Sequence, residues 1–114
     1  MLIYMLKSKI HRVRVTDANV DYEGSIALDP SIMKKADIRE YEQVHIYNVT
    51  NGERFVTYSI KGDVGDICIN GAAAKKVNIG DMIIICSYCM VDERDTHWVK
   101  PKVVHKERAI NEGQ

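Results

Sequence analysis

The chain has 114 residues, 46% of them from the AVILMFWYC set and 28% charged, the make-up of one ordinary globular domain spanning residues 1–114. That composition excludes collagen-like, disordered and disulfide-scaffold proteins, and with no apolar run longer than MIIIC (residues 82–86) no membrane partner is expected. Sixteen Lys and Arg balance sixteen Asp and Glu, so bulk charge points to no nucleic acid or other polyanion.

The opening residues, MLIYMLKSKI, hold no long apolar stretch and no small-residue cleavage site. Three cysteines (Cys68, Cys86, Cys89) are an odd count, so a reducing, cytoplasmic setting is expected. Lys7, Lys9, Arg12 and Arg14 all precede the first acid, Asp17. This local cationic stretch reads either as a solvated strand edge or as a contact for phosphate, nucleic acid or a carboxylate substrate. Residues 11–16 (HRVRVT) alternate charged and β-branched residues and predict a strand. Residues 22–25 (YEGS) read by themselves as a turn, with Gly permitting φ > 0 and Ser bonding locally to the backbone.

Asp29 suits the N-cap of a helix with Pro30 in its first turn, running to about Ala36. Residues 43–49 (QVHIYNV) and 54–60 (RFVTYSI) alternate again, and Asn51-Gly52 between them is a strong hairpin signal. Residues 66–70 (DICIN) predict a further strand, and residues 72–77 a turn or two of helix ended near Gly80. Residues 82–91 predict the longest apolar strand. Residues 98–104 (WVKPKVV) suit an edge strand, because Pro101 cannot donate to a ladder. Many short strands without long crossover helices point to a mainly β barrel or sandwich.

Common site motifs are absent: no nucleophile elbow, Walker loop, Rossmann glycine triplet or H-E-x-x-H. The four histidines have no metal-ligand spacing, although His11 neighbours the basic stretch. Cys86 and Cys89 form a C-x-x-C, but within an apolar strand pattern and without a second pair, so core packing is expected and no metal.

Four separated motifs then agree with one family. K-x-H-R-V-x-V-T (residues 9–16), Y-E-G-S (22–25), N-V-T-N-G-x-R-F-x-T-Y (48–58) and N-G-A-A-A (70–74) closely resemble the aspartate 1-decarboxylases, over about residues 1–104 and in the same order. These are pyruvoyl-dependent carboxy-lyases that convert L-aspartate to β-alanine and CO2 for pantothenate synthesis. The resemblance implies a small closed six-stranded double-psi β-barrel with short helices, assembled as a homotetramer. Residues 105–114 are expected to be a flexible tail.

The resemblance also implies self-cleavage between Gly24 and Ser25. The Ser25 hydroxyl attacks the Gly24 carbonyl to give an ester, elimination leaves dehydroalanine, and hydrolysis releases ammonia and leaves a pyruvoyl group. Gly24 suits this by tolerating strain and leaving its carbonyl open. Thr57 matches the family's oxyanion donor in processing. The pyruvoyl ketone, which stands in for pyridoxal phosphate, takes the substrate amine as an imine and acts as an electron sink. Lys9 and Arg54 match the cations that hold the two carboxylates, and Tyr58 the residue that returns a proton to the α-carbon. Thr57, Asn70, Gly71, Ala72, Ala73 and Ala74 match substrate-binding positions, and His11 and Tyr22 supporting ones.

Arg54 and Tyr58 are four apart and share a strand face, whereas Thr57 points the other way. Either the strand bulges or the cleft draws on two subunits. Intersubunit sites are the expectation, because so small a barrel has little interior for a dicarboxylate. The competing expectation is a non-catalytic β-barrel binding module that uses the basic N-terminal strand.

Overall fold

Period-two alternation of isoleucine and valine with polar residues becomes strand structure in the computed structural model, which describes residues 1–105. The strands are β1 (Leu2–Arg14), β2 (Asp17–Asn19), β3 (Ser25–Leu28), β4 (Gln43–Asn48), β5 (Arg54–Lys61), β6 (Ile67–Asn70), β7 (Met82–Asp92) and β8 (Lys102–His105). One helix, α1 (Pro30–Ala36), follows β3, and 3₁₀ turns occupy Gly71–Lys76 and Glu93–Trp98. The mainly β expectation is met.

The strands join in the order β2-β6-β3-β5-β4-β7-β1-β8. As hydrogen-bonded, this sheet is open, with β2 and β8 at its two ends, so the ladders do not themselves show a closed six-stranded barrel. The sheet is nevertheless curled. Only Val15 and Thr16 separate β1 from β2, which lie near opposite ends of that order. The three steps from Arg14 to Asp17 span at most about 11 Å, so the two ends are folded towards each other. Val15 is buried there, and the Thr16 N–H donates to the Ile67 carbonyl at 2.9 Å.

The curl encloses the core. Ile10 and Val13 of β1, Ile26 and Leu28 of β3, Val44 and Ile46 of β4, Ile67 and Ile69 of β6, and Ile83 and Ile85 of β7 form one buried cluster with Ile32, Met33 and Ala36 of α1. Ile10 and Val13 are three apart, yet both face inward. The β1/β7 register slips between them, and Arg12 takes φ 63°. This is a bulge that restores the inward phase.

The capped helix forms where the sequence places it. Asp29 Oδ1 accepts from the Ser31 N–H at 2.8 Å, Pro30 opens the helix, and Asp37 ends it at φ 55°. The β4/β5 hairpin also forms, with Gly52 at φ 80° and the Gly52 N–H donating to the Asn48 carbonyl at 2.8 Å. Its connection is residues 49–53, longer than a two-residue turn. Strand β1 starts at Leu2 rather than near residue 11, and β8 starts only at Lys102, after the 3₁₀ turn that contains Trp98. His105, expected to begin a flexible tail, instead closes β8 and pairs with His11. The rest of that expected tail, residues 106–114, lies outside the described residues.

Candidate active site

Residues 22–25 read locally as a turn, but Ser25 is the first residue of β3. It lies opposite Asn70 in the antiparallel β3/β6 ladder. Both are buried, at 1% and 4% exposure. Asn70 Nδ2 donates to Ser25 Oγ at 3.1 Å, and Ser25 Oγ donates to the Glu23 carbonyl at 3.0 Å. The hydroxyl is therefore held from two directions beside the Gly24–Ser25 amide. Cys68 Sγ in turn donates to Asn70 Oδ1 at 3.2 Å. Burial, with Asp17 and Asp66 nearby, pushes the Cys68 thiol up.

Gly71 is the glycine this arrangement demands. It sits at φ 78°, and a Cβ there would lie 2.5 Å from Gly24 Cα and 2.8 Å from Gly24 N. The backbone after Asn70 thus packs directly on the backbone of Gly24. Gly24 itself lies outside the left-handed region, and a Cβ on it would meet nothing within 4 Å. Neither its packing nor its φ demands glycine. Ala72, Ala73 and Ala74 continue from Gly71 in the 3₁₀ turn, with Ala72 exposed and Ala74 buried.

The parallel β3/β5 ladder pairs Ile26 with Ser59, which sets Tyr58 beside Ser25. Ser25, Tyr58 and Tyr22 line a pocket of about 260 Å³ together with Glu40, Tyr41 and Lys61. Tyr58 and Tyr41 also line a neighbouring cleft of about 590 Å³ with Thr57 and Val56. The sequence reading missed Cys68, Glu40, Tyr41 and Lys61. Only Cys68 carried a local signal, because it sits two residues before Asn70 in a strand pattern and so shares its face.

The other expected site residues lie elsewhere in the chain. Arg54 is at the far end of β5, about 13 Å along the strand from Tyr58. Its guanidinium stacks 4.6 Å above the Tyr47 ring. A pocket of about 560 Å³ runs along β4, lined by Tyr4, Gln43, His45, Tyr47 and Tyr88. Tyr47 Oη and Tyr88 Oη are 2.7 Å apart, and that hydrogen bond with burial pushes Tyr88 above the usual tyrosine range. The β4/β5 ladder runs unbroken from Gln43↔Tyr58 to Tyr47↔Arg54, so no bulge brings Arg54, Thr57 and Tyr58 onto one face.

Lys9 and His11 are on β1, separated from β3 by β5, β4 and β7 in the sheet order. Lys9 lies opposite Cys86 and has no ion-pair partner among the described residues. The His11 ring meets His105 edge-on at 5.1 Å.

The basic N-terminal stretch is partly engaged within the fold. Lys7 Nζ pairs with Glu42 at 3.0 Å and donates to the Asp37 carbonyl, and Arg14 Nη1 donates to the Gly80 carbonyl at 2.9 Å. This leaves little of a continuous cationic surface for a polyanion. Cys86 and Cys89 are three apart on one strand and face opposite sides; Cys86 is buried and Cys89 Sγ donates to the Met5 carbonyl at 3.6 Å. The C-x-x-C is therefore packing. Among the described residues no group of three His, Cys, Asp or Glu is placed to hold a metal, and no helix is long and apolar enough to cross a membrane.

Comparison with known proteins shows the family of the chain. Residues 1–112 match the family described as "Aspartate decarboxylase". The aspartate 1-decarboxylase of Campylobacter hominis is 54% identical over 105 residues, covering 92% of this chain and 92% of that protein. That of Syntrophus aciditrophicus is 56% identical over 102 residues, 88% of each chain. That of Campylobacter fetus is 51% identical over 115 residues, 98% of this chain and 100% of its own. On the whole-chain family match and these relatives, the chain belongs to the aspartate decarboxylase family.

Proposed function

We propose that this protein is a self-processing aspartate 1-decarboxylase that converts L-aspartate to β-alanine and CO2, the β-alanine serving pantothenate synthesis in the cytoplasm. The observation that carries the reading is the hydroxyl of Ser25, held between the Glu23 carbonyl and Asn70 Nδ2 next to the Gly24–Ser25 bond.

Self-processing uses residues of the chain alone. Ser25 Oγ attacks the Gly24 carbonyl carbon, forming an ester while the C–N bond breaks and the former amide nitrogen becomes an amine. The hydroxyl proton ends on that amine. The attacking oxygen and its target are held in one residue pair, so the step gains the effective molarity of an intramolecular reaction. The Thr57 hydroxyl is assigned to the developing oxyanion. Elimination then frees the Gly24 carboxylate and leaves dehydroalanine at position 25. Water converts this to a pyruvoyl group with loss of ammonia.

Position 25 fits such a group. It is shielded from bulk water, it has the Asn70 amide as a ready donor, and it faces the pocket shared with Tyr58. Bound to the chain, the pyruvoyl ketone supplies an electrophilic carbon for the substrate amine and a sink for the electron pair left when CO2 departs. Tyr58 delivers a proton to the substrate α-carbon. Arg54 and Lys9 hold the two carboxylates, Arg54 through its planar fork and Lys9 as a point charge. Asn70, Gly71 and the backbone of Ala72, Ala73 and Ala74 shape the floor beside position 25, with Tyr22 and His11 in support.

Arg54 lies about 13 Å along β5 from Tyr58, the neighbour of Ser25, which supports sites shared between neighbouring subunits of a homotetramer. A closed double-psi barrel is the architecture this reading adopts for each subunit, and the short reach from β1 to β2 supports it.

Intact-mass measurement tests the proposal. The purified protein should separate into residues 1–24 and a larger fragment that begins with a keto group, and should release β-alanine from L-aspartate. Ser25→Ala should stay one chain and make no β-alanine. Turnover by an uncleaved Ser25→Ala chain would end the proposal.

A further inference from the structure

Asn70 is the side chain that donates to Ser25 Oγ, and it can do so in only one orientation. A half-turn of the amide exchanges Oδ1 for Nδ2. Turned the other way, Asn70 would set an acceptor against Ser25 Oγ and compete with the Glu23 carbonyl for the hydroxyl proton. Cys68 stands where that choice is made, with Sγ 3.2 Å from Asn70 Oδ1. Strand β6 places the two residues on one face, and β3 holds them in register through Ala27↔Cys68 and Ser25↔Asn70.

We infer that Cys68 is a positioning residue for self-cleavage: its S–H pins Asn70 Oδ1 and so directs Asn70 Nδ2 onto Ser25 Oγ. The inference rests on the reading of Ser25 as the cleaving residue. Cys68 makes and breaks no covalent bond. It sets a hydrogen-bonded line from Cys68 through Asn70 to Ser25, leaving the hydroxyl proton on the Glu23 side and the oxygen oriented before it attacks Gly24. Burial and the neighbouring Asp17 and Asp66 push the thiol up, which keeps the proton on sulfur at neutral pH. A thiolate would instead repel Oδ1.

The test compares Cys68→Ser, Cys68→Ala and Cys68→Val in the full-length chain. Cleavage after Gly24 is followed in time by intact mass, and thermal melting is recorded beside it. Serine keeps a donor, whereas valine keeps the bulk without one. Cys68→Ser should cleave within about twofold of wild type, and Ala and Val roughly five- to tenfold more slowly. In an Asn70→Ala background, Cys68→Ala should add no further slowing, because the route to Ser25 is already gone.

A packing role predicts the reverse order, with Val restored and Ser slow, and that order would overturn the inference. So would slowing by Cys68→Ala that adds in full to that of Asn70→Ala. If the wild-type chain does not cleave at all, the Ser25 reading itself fails, and the inference with it.

Discussion

Gly71 and Gly24 face each other across the candidate cleavage site, yet they respond differently to an added methyl group. A Cβ on Gly71 would collide with Gly24 backbone atoms at 2.5 and 2.8 Å, and its φ of 78° is strained for any L residue. Gly71→Ala should therefore move residues 70–71 off Gly24 and draw the Asn70 amide away from Ser25. We expect a stability loss of about 1–3 kcal/mol and a marked slowing of cleavage, read by thermal melting and by intact mass against time. Gly24→Ala should melt like wild type, since its Cβ would point into open space. The YEGS fragment could not reveal this neighbourhood. Its local signals describe a turn, and the partner that makes Ser25 distinctive, Asn70, is 45 residues away.

At the scale of elements, the readable ones carried a local signal: a cap, an alternation, a turn or a long apolar run. Helix α1 had Asp29 and Pro30, and β4 and β5 had alternation with Asn51-Gly52 between them. Strand β3 had no alternation and was too short to read as an apolar run. All four of its residues are buried, and only pairing with β5 and β6 makes it a strand. Strand β2 is three residues long, too short for any period to register.

The connection into β7 carries a pH-sensitive lock. Asp81 accepts from Asn48 Nδ2 at 2.8 Å and from the Asn78 N–H at 2.9 Å, tying the hairpin loop to the start of β7. These bonds hold its carboxyl below the usual range. A folded pKa below the unfolded one means that the stabilisation is full above the unfolded value of about 4. It is lost as pH falls through the folded value. Asp81→Asn should thus melt below wild type at neutral pH, with the gap closing in acid, in a series of melts from neutral pH down to about pH 2.

The whole-molecule scale concerns Arg54, which stands at the end of β5 away from Tyr58 and Ser25. If each site takes Ser25 from one subunit and Arg54 from its neighbour, inactive variants should complement each other. Ser25→Ala and Arg54→Ala should each be inactive alone. Equimolar co-assembly should restore roughly a quarter of wild-type sites, because a random mix leaves that share with both intact contributors. The measurement is β-alanine production by the mixed assembly. No restored activity would place the whole site within one subunit.

The sequence by itself determined the mainly β character, the capped helix, the central hairpin and the four motifs that mark the family, because each is written in residues close together along the chain. Short-range periodicity, capping chemistry and turn preference need no distant partner to be read. Tertiary structure alone decided that Ser25 pairs with Asn70, that Gly71 lies on Gly24, that Cys68 Sγ bonds to the Asn70 amide, and that Arg54 stands at the end of β5 away from them. Those relations depend on which strands become neighbours in a curled sheet, and long-range pairing of that kind is set by burial of the shared core rather than by any local signal.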